Sequence, residues 1–99
     1  MDGMEEDDGR ADRALSIEVG RRIAELRARR GVASQQELAT RAGMAKAYVW
    51  RLEAGRQDVS LRNLARLCRA LDVTLSELLE GIDVSSVELE NRGYSRPSE

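Results

Sequence analysis

The 99-residue chain predicts an all-α domain built from five short helices. Three observations carry that prediction. Apolar residues recur at spacings of three and four in separate segments, the stripe of an amphipathic helix. The segments are punctuated by Ser or Thr suited to capping a helix start and by Gly suited to ending one. The single proline is Pro97, so no ring interrupts a helix before the end of the chain.

The first segment, about 13–30, carries Val19, Ile23 and Leu26 on one stripe. Arg27, Arg29 and Arg30 fill its last turn, where the helix dipole favours cations, and Gly31 stops it. The second opens with Ser34-x-x-Glu37, the spacing of a capping box, and turns Leu38 and Ala39 inward. Arg41-Ala42-Gly43-Met44 reads as a short turn. The third segment runs about 45–54 and ends at Gly55. The fourth starts at Ser60 and places Leu61, Leu64, Leu67, Cys68 and Leu71 on one face. The fifth has a second capping box, Thr74-x-x-Glu77, followed by Leu78 and Leu79, and closes at Gly81.

Around this unit, residues 1–12 read as a disordered acidic tail. Residues 13–82 form the folded domain, and 83–99 a C-terminal tail in which IDVSSVEL can extend or pair. Charge is segregated in the same way. Residues 1–12 hold six acids against one base, 13–80 hold thirteen bases against eight acids, and 81–99 hold two bases against four acids. A basic core between acidic ends suits a polyanionic partner, although an Arg-rich solvated surface would look the same by charge alone.

Composition excludes several functions. Histidine is absent, so no imidazole can act as base, proton shuttle or metal ligand. The one cysteine, Cys68, cannot close an internal disulfide or build a thiolate zinc site, and its place on an apolar stripe reads as structural. No glycine-rich phosphate loop accompanies the single lysine, Lys46. No apolar run approaches the roughly 18 residues that cross a bilayer, and MDGMEEDD is the opposite of a signal peptide. The expectation is a cytoplasmic, cofactor-free, non-enzymatic domain with no metal, no small-molecule ligand and no membrane partner.

Two helices of about two turns joined by a short Gly-containing turn, here the second and third segments, have the form of a helix-turn-helix. On a wheel of about 100° per residue, Val49 and Leu52 give the third segment its buried side. The opposite side collects Lys46, Ala47, Trp50, Arg51 and Ala54, with no acid among them. Tyr48 borders that face, and Glu53 lies on the flank toward the first segment. Small residues let a helix axis approach base edges in a major groove, Lys and Arg can donate to guanine O6 and N7, and an apolar group can meet the thymine methyl. An exposed Trp asks for a partner, and a protein surface anchored by Trp50 is the competing reading.

VGRRIAELRARRG, SQQELATRAGMAKAYVWRLEAGR and VSLRNLARLCRALDVTLSELL occur in this order, and over residues 19–80 the sequence resembles the Cro/phage-repressor (XRE) type of helix-turn-helix domain. The resemblance implies a five-helix bundle whose third helix reads double-stranded DNA while the second crosses the backbone. Carried over by position, it implies base reading by Lys46, Ala47, Trp50 and Arg51, and backbone contacts by Ser34, Gln35, Tyr48 and Arg56. It further implies a partly buried ion pair between Arg27 and Glu53. The expected function is sequence-specific transcriptional regulation by a homodimer in a bacterial or phage setting, on the nucleoid. Leu75, Leu79 and Ile82 form the candidate dimer interface, extended by Val84, Val87 and Leu89. Two departures from the pattern stand out. Val32 and Ala33 occupy a loop that in the family usually has one residue, and Ala45 replaces the usual Ser or Thr cap of the third helix. Asp58-Val59-Ser60-Leu61 is reminiscent of restriction–modification controllers among the family's small members.

Overall fold

A computed structural model describes residues 13–85 and 87. The proposed acidic tail 1–12, most of the C-terminal tail and the interface residue Leu89 lie outside the described residues. Five helices follow in order: α1 (Ala14–Arg29), α2 (Gln35–Ala42), α3 (Lys46–Glu53), α4 (Leu61–Leu71) and α5 (Leu75–Leu78). No strand occurs among the described residues, and the described part of IDVSSVEL includes a turn in which the Val87 N–H donates to the Val84 carbonyl.

Ile23 and Leu26 of α1, Leu38 and Ala39 of α2, Val49 and Leu52 of α3, and Leu64, Leu67, Cys68 and Leu71 of α4 converge on one core, closed by Leu78. Val32, from the two-residue loop, is buried with them. The longer loop is therefore anchored: it ends α1 in a Schellman-type turn, with the Val32 N–H bonded to the Arg27 carbonyl, and drops an apolar side chain inward. The packing pairs α1 with α3, α2 with both α3 and α4, and α5 with α1 and α4. Burial pushes the Cys68 thiol above its ordinary value, with the Glu77 carboxylate adding to the effect.

Several local expectations need correction. Leu61 is not part of the core: at the first position of α4 it is 73% exposed. Arg41 and Ala42 belong to α2, so the turn proper is Gly43 to Ala45. The box at Ser34 is only half formed. The Ser34 hydroxyl accepts from the Glu37 N–H at 3.0 Å, but the Glu37 carboxylate reaches past Ser34 to the Ala33 N–H at 3.1 Å. The box at Thr74 and Glu77 closes in both directions. Asp72, not a glycine, takes the left-handed conformation at the end of α4, with φ of 60°.

Two arginines unremarkable in sequence, Arg22 of α1 and Arg30 just past its end, tie α1 to the ends of α5 and α4. The Arg30 guanidinium donates to the carbonyls of Leu71 at 3.0 Å and Asp72 at 2.9 Å, where α4 ends. The Arg22 guanidinium donates to the carbonyls of Leu78 at 3.2 Å and Glu77 at 2.8 Å, where α5 ends. These carbonyls lie at helix ends, where the regular backbone donors run out, so each arginine supplies a donor and complements a helix dipole at once, although the Glu77 carbonyl also accepts from the Glu80 N–H. Among the described residues, no helix is long and apolar enough to cross a membrane.

Candidate nucleic-acid interface

Helix α3 buries Val49 and Leu52 and turns Lys46, Ala47, Trp50, Arg51 and Ala54 outward, with Trp50 51% exposed. Its one acid is removed from that surface. The Glu53 side chain is 7% exposed and accepts from Arg27 Nε at 2.7 Å and Arg27 Nη2 at 3.1 Å, the bidentate pairing that matches carboxylate to guanidinium. This hydrogen-bonded carboxylate holds the Arg27 guanidinium above its usual range, against the opposing effect of burial. The outward strip therefore displays cations, small residues and an indole, without a carboxylate.

The geometry of the strip is set by close approach on the opposite side. The Leu52 carbonyl oxygen of α3 sits where a Cβ on Gly20 would stand, so α1 and α3 meet backbone to backbone. Beyond the end of α3, Gly55 has φ of 75° and its Cβ position lies 2.6 Å from Ile17 Cγ1. Only glycine fits there, for both reasons. The α2–α3 turn ends α2 at Gly43 in the left-handed region and leads through Ala45, whose side chain makes no capping bond, as its sequence implies. Replacing the usual capping hydroxyl by a methyl costs about 1 kcal/mol.

The sequence-implied backbone-contacting residues differ in how they are held. Arg56 is exposed just past Gly55. The Ser34 hydroxyl is occupied as the cap of α2. Gln35 is drawn inward: its Nε2 donates to Glu53 Oε1 at 2.8 Å, joining the start of α2 to the Arg27–Glu53 pair. That contact qualifies the reading of Gln35 as a residue held out toward a phosphate, because one amide proton is committed to tying three helices together. Tyr48 is half-buried, and its hydroxyl accepts from Asn63 Nδ2 of α4 at 2.9 Å. The phenolic proton remains available to donate. The interface residues on α5 and beyond are mixed. Leu75 is 42% exposed and Val84 51% exposed, whereas Leu79 packs partly on the core and Ile82 is half-buried.

Three supporting residues were not among the site residues the sequence implied. Gln57 Oε1 accepts from Arg51 Nε at 3.0 Å, Asn63 braces Tyr48, and Asp58 accepts from the Ser16 hydroxyl of α1 at 2.7 Å. Their spacing to their partners follows no helical or strand period, and only the folded loop brings Gln57 beside Arg51. Among the described residues, no group of three potential metal ligands occurs.

Comparison with known proteins agrees with this architecture. A helix-turn-helix domain family matches residues 18–80. Control protein C.MunI of Mycoplasma sp is 32% identical over 69 residues, spanning 70% of this chain and 93% of that protein. Control protein C.BamHI of Bacillus amyloliquefaciens is 28% identical over 74 residues, spanning 75% of this chain and 91% of that protein. The crystal structure of the restriction-modification controller protein C.AhdI from Aeromonas hydrophila superposes with a TM-score of 0.64 at 39% identity, covering 67% of this chain and 94% of that one. With an all-helical bundle, an outward third helix and these relatives, the chain belongs to the helix-turn-helix family, in its Cro/phage-repressor branch of DNA-binding transcriptional regulators.

Proposed function

We propose that the chain works as a homodimer, reads an operator through the major groove with α3, and controls transcription within a restriction–modification system, in the cytoplasm and on the nucleoid of a bacterial or phage host. The observation that carries this reading is the outward strip of α3, which presents Lys46, Ala47, Trp50 and Arg51 while its single carboxylate is folded away against Arg27. Lys46 and Arg51 donate to guanine O6 and N7, Ala47 admits the helix to the groove floor, and Trp50 covers an apolar base edge. Tyr48, Arg56, Ser34 and the remaining amide proton of Gln35 address phosphates and fix the register. One eight-residue helix reads too few base pairs for genomic specificity, and two copies engaging half-sites one DNA turn apart double the contacts. Leu75, Leu79, Ile82 and Val84 supply the apolar face for that pairing.

The test is the salt dependence of binding to duplexes selected from a random pool. A dimer making roughly ten phosphate contacts gives log K falling against log salt with a slope near −9. Lys46→Ala or Arg51→Ala costs about 1–3 kcal/mol and relaxes preference at particular base pairs, whereas Arg56→Ala weakens all sequences alike. A nearly salt-independent association lost in Trp50→Ala, with no duplex selected, would instead identify a protein-interaction module anchored on the indole. Dimerisation has its own readout. Leu75→Asp should convert the sedimenting species from dimer to monomer and abolish symmetric protection of two half-sites, and a dimer untouched by it places the interface elsewhere.

A further inference from the structure

We propose that Gln57 is the specificity-determining positioning residue of this regulator: from the loop after α3 it fixes the Arg51 guanidinium in one orientation, so that the terminal nitrogens address a single base pair. The assignment rests on the reading of Arg51 as a base contact. Gln57 Oε1 accepts from Arg51 Nε at 3.0 Å, and Gln57 Nε2 donates to the Asp58 carbonyl at 3.1 Å. Asp58 is in turn anchored to α1, its carboxylate accepting from the Ser16 hydroxyl at 2.7 Å. On the other side, the Arg51 guanidinium carbon lies 5.7 Å from the centroid of the Tyr48 ring, within cation–π reach, and the Tyr48 hydroxyl accepts from Asn63 of α4 at 2.9 Å. A long exposed side chain is thereby held by groups fixed to three other elements.

The chemistry fits a fork rather than a point charge. With Nε engaged by Gln57, the four N–H groups on the two terminal nitrogens remain, and guanine O6 and N7 take two of them in a plane. An unbraced arginine can swing to a neighbouring base or a phosphate when its preferred base is replaced, recovering part of the lost interaction. A braced one cannot, and the wrong base pair is left with unmatched groups. Bracing therefore acts on discrimination more than on attraction. Lys46, at the other end of the same strip, forms no side-chain hydrogen bond among the described residues and contributes charge without this angular constraint.

The experiment uses the full chain and a duplex selected by it from a random pool, with each single-base-pair variant of that duplex. Wild type, Gln57→Ala, Gln57→Glu and Arg51→Ala are compared for affinity ratio, salt slope and thermal midpoint. Gln57→Ala should lower the preferred-to-alternative ratio about 5–10-fold at the same base pair that Arg51→Ala affects, with salt slope and thermal midpoint as in wild type. Gln57→Glu retains an acceptor for Arg51 Nε, so it should keep the ratio while weakening every duplex alike through its added negative charge. If Gln57→Ala keeps the full ratio where Arg51→Ala loses it, Gln57 does not position Arg51 and the proposal falls while the base-reading role of Arg51 stands. If Arg51→Ala itself keeps the ratio, the base-reading role fails and Gln57 has nothing to position.

Discussion

Glu53→Ala should destabilise the domain by roughly 3 kcal/mol, at the lower end of the range for breaking a buried ion pair, because Arg27 keeps some solvent contact. The Arg27 side chain is 19% exposed, against 7% for Glu53. What remains after the substitution is a guanidinium in a closed site with one long hydrogen bond, to the Val32 carbonyl at 3.4 Å, and a Gln35 amide that has lost its acceptor. At about 4–8 °C per kcal/mol for a domain of this size, the thermal midpoint should fall by roughly 12–24 °C. Glu53→Gln keeps one carbonyl acceptor and should lose about half as much. Urea denaturation followed by circular dichroism measures both. A loss below about 1 kcal/mol for Glu53→Ala would mean that the pair is solvated in solution and worth no more than a surface ion pair.

Gly20→Ala should come second, with a net loss of about 2 kcal/mol. Helix propensity alone favours the change by about 1 kcal/mol, so the sign of the result is informative. It is opposed by a new methyl directed at the Leu52 carbonyl oxygen, a backbone atom that no side-chain rotation can move aside. The methyl fits only if α1 and α3 separate, which strips contacts from Ile23, Val49 and Leu52 together. Gly31→Ala is the matching control. Unlike Gly20 it has a positive φ, at 74°, and a Cβ there meets nothing within 4 Å, so the cost is confined to the left-handed conformation, about 1 kcal/mol. A Gly20→Ala variant as stable as wild type would show that the α1–α3 contact relaxes without loss. Because Gly20 sets how far the reading strip stands from the bundle, this variant should also weaken selected-duplex binding at temperatures where it remains folded.

Much of the site was legible before any coordinate. The buried side of α3 follows from Val49 and Leu52 alone, and with it the outward Lys46, Ala47, Trp50 and Arg51, since three residues of spacing fix one face of a helix. The same reasoning misplaced Leu61. Its position on the wheel of α4 points toward the apolar side, but whether the first turn of that side is covered is set by the packing of other elements, and the local period does not encode it. Gln35 shows a related limit. The resemblance implies a backbone contact at this position, and only the approach of the last turn of α3 supplies the Glu53 carboxylate that takes one of its amide protons.

From the order of residues alone came five helices, their caps, the core stripe, the Arg27–Glu53 pairing implied by resemblance and the cationic, acid-free outer face of α3. Each rests on a local period, a local cap or a motif at fixed spacing. Assembly decided which long side chains are spent on structure and which are left facing outward: Arg22 and Arg30 bind the ends of α5 and α4, Gln35 binds Glu53, and Gln57 binds Arg51. Arginine and glutamine reach several ångströms from their own backbone through three or more rotatable bonds, so their partners are set by where other helices begin and end.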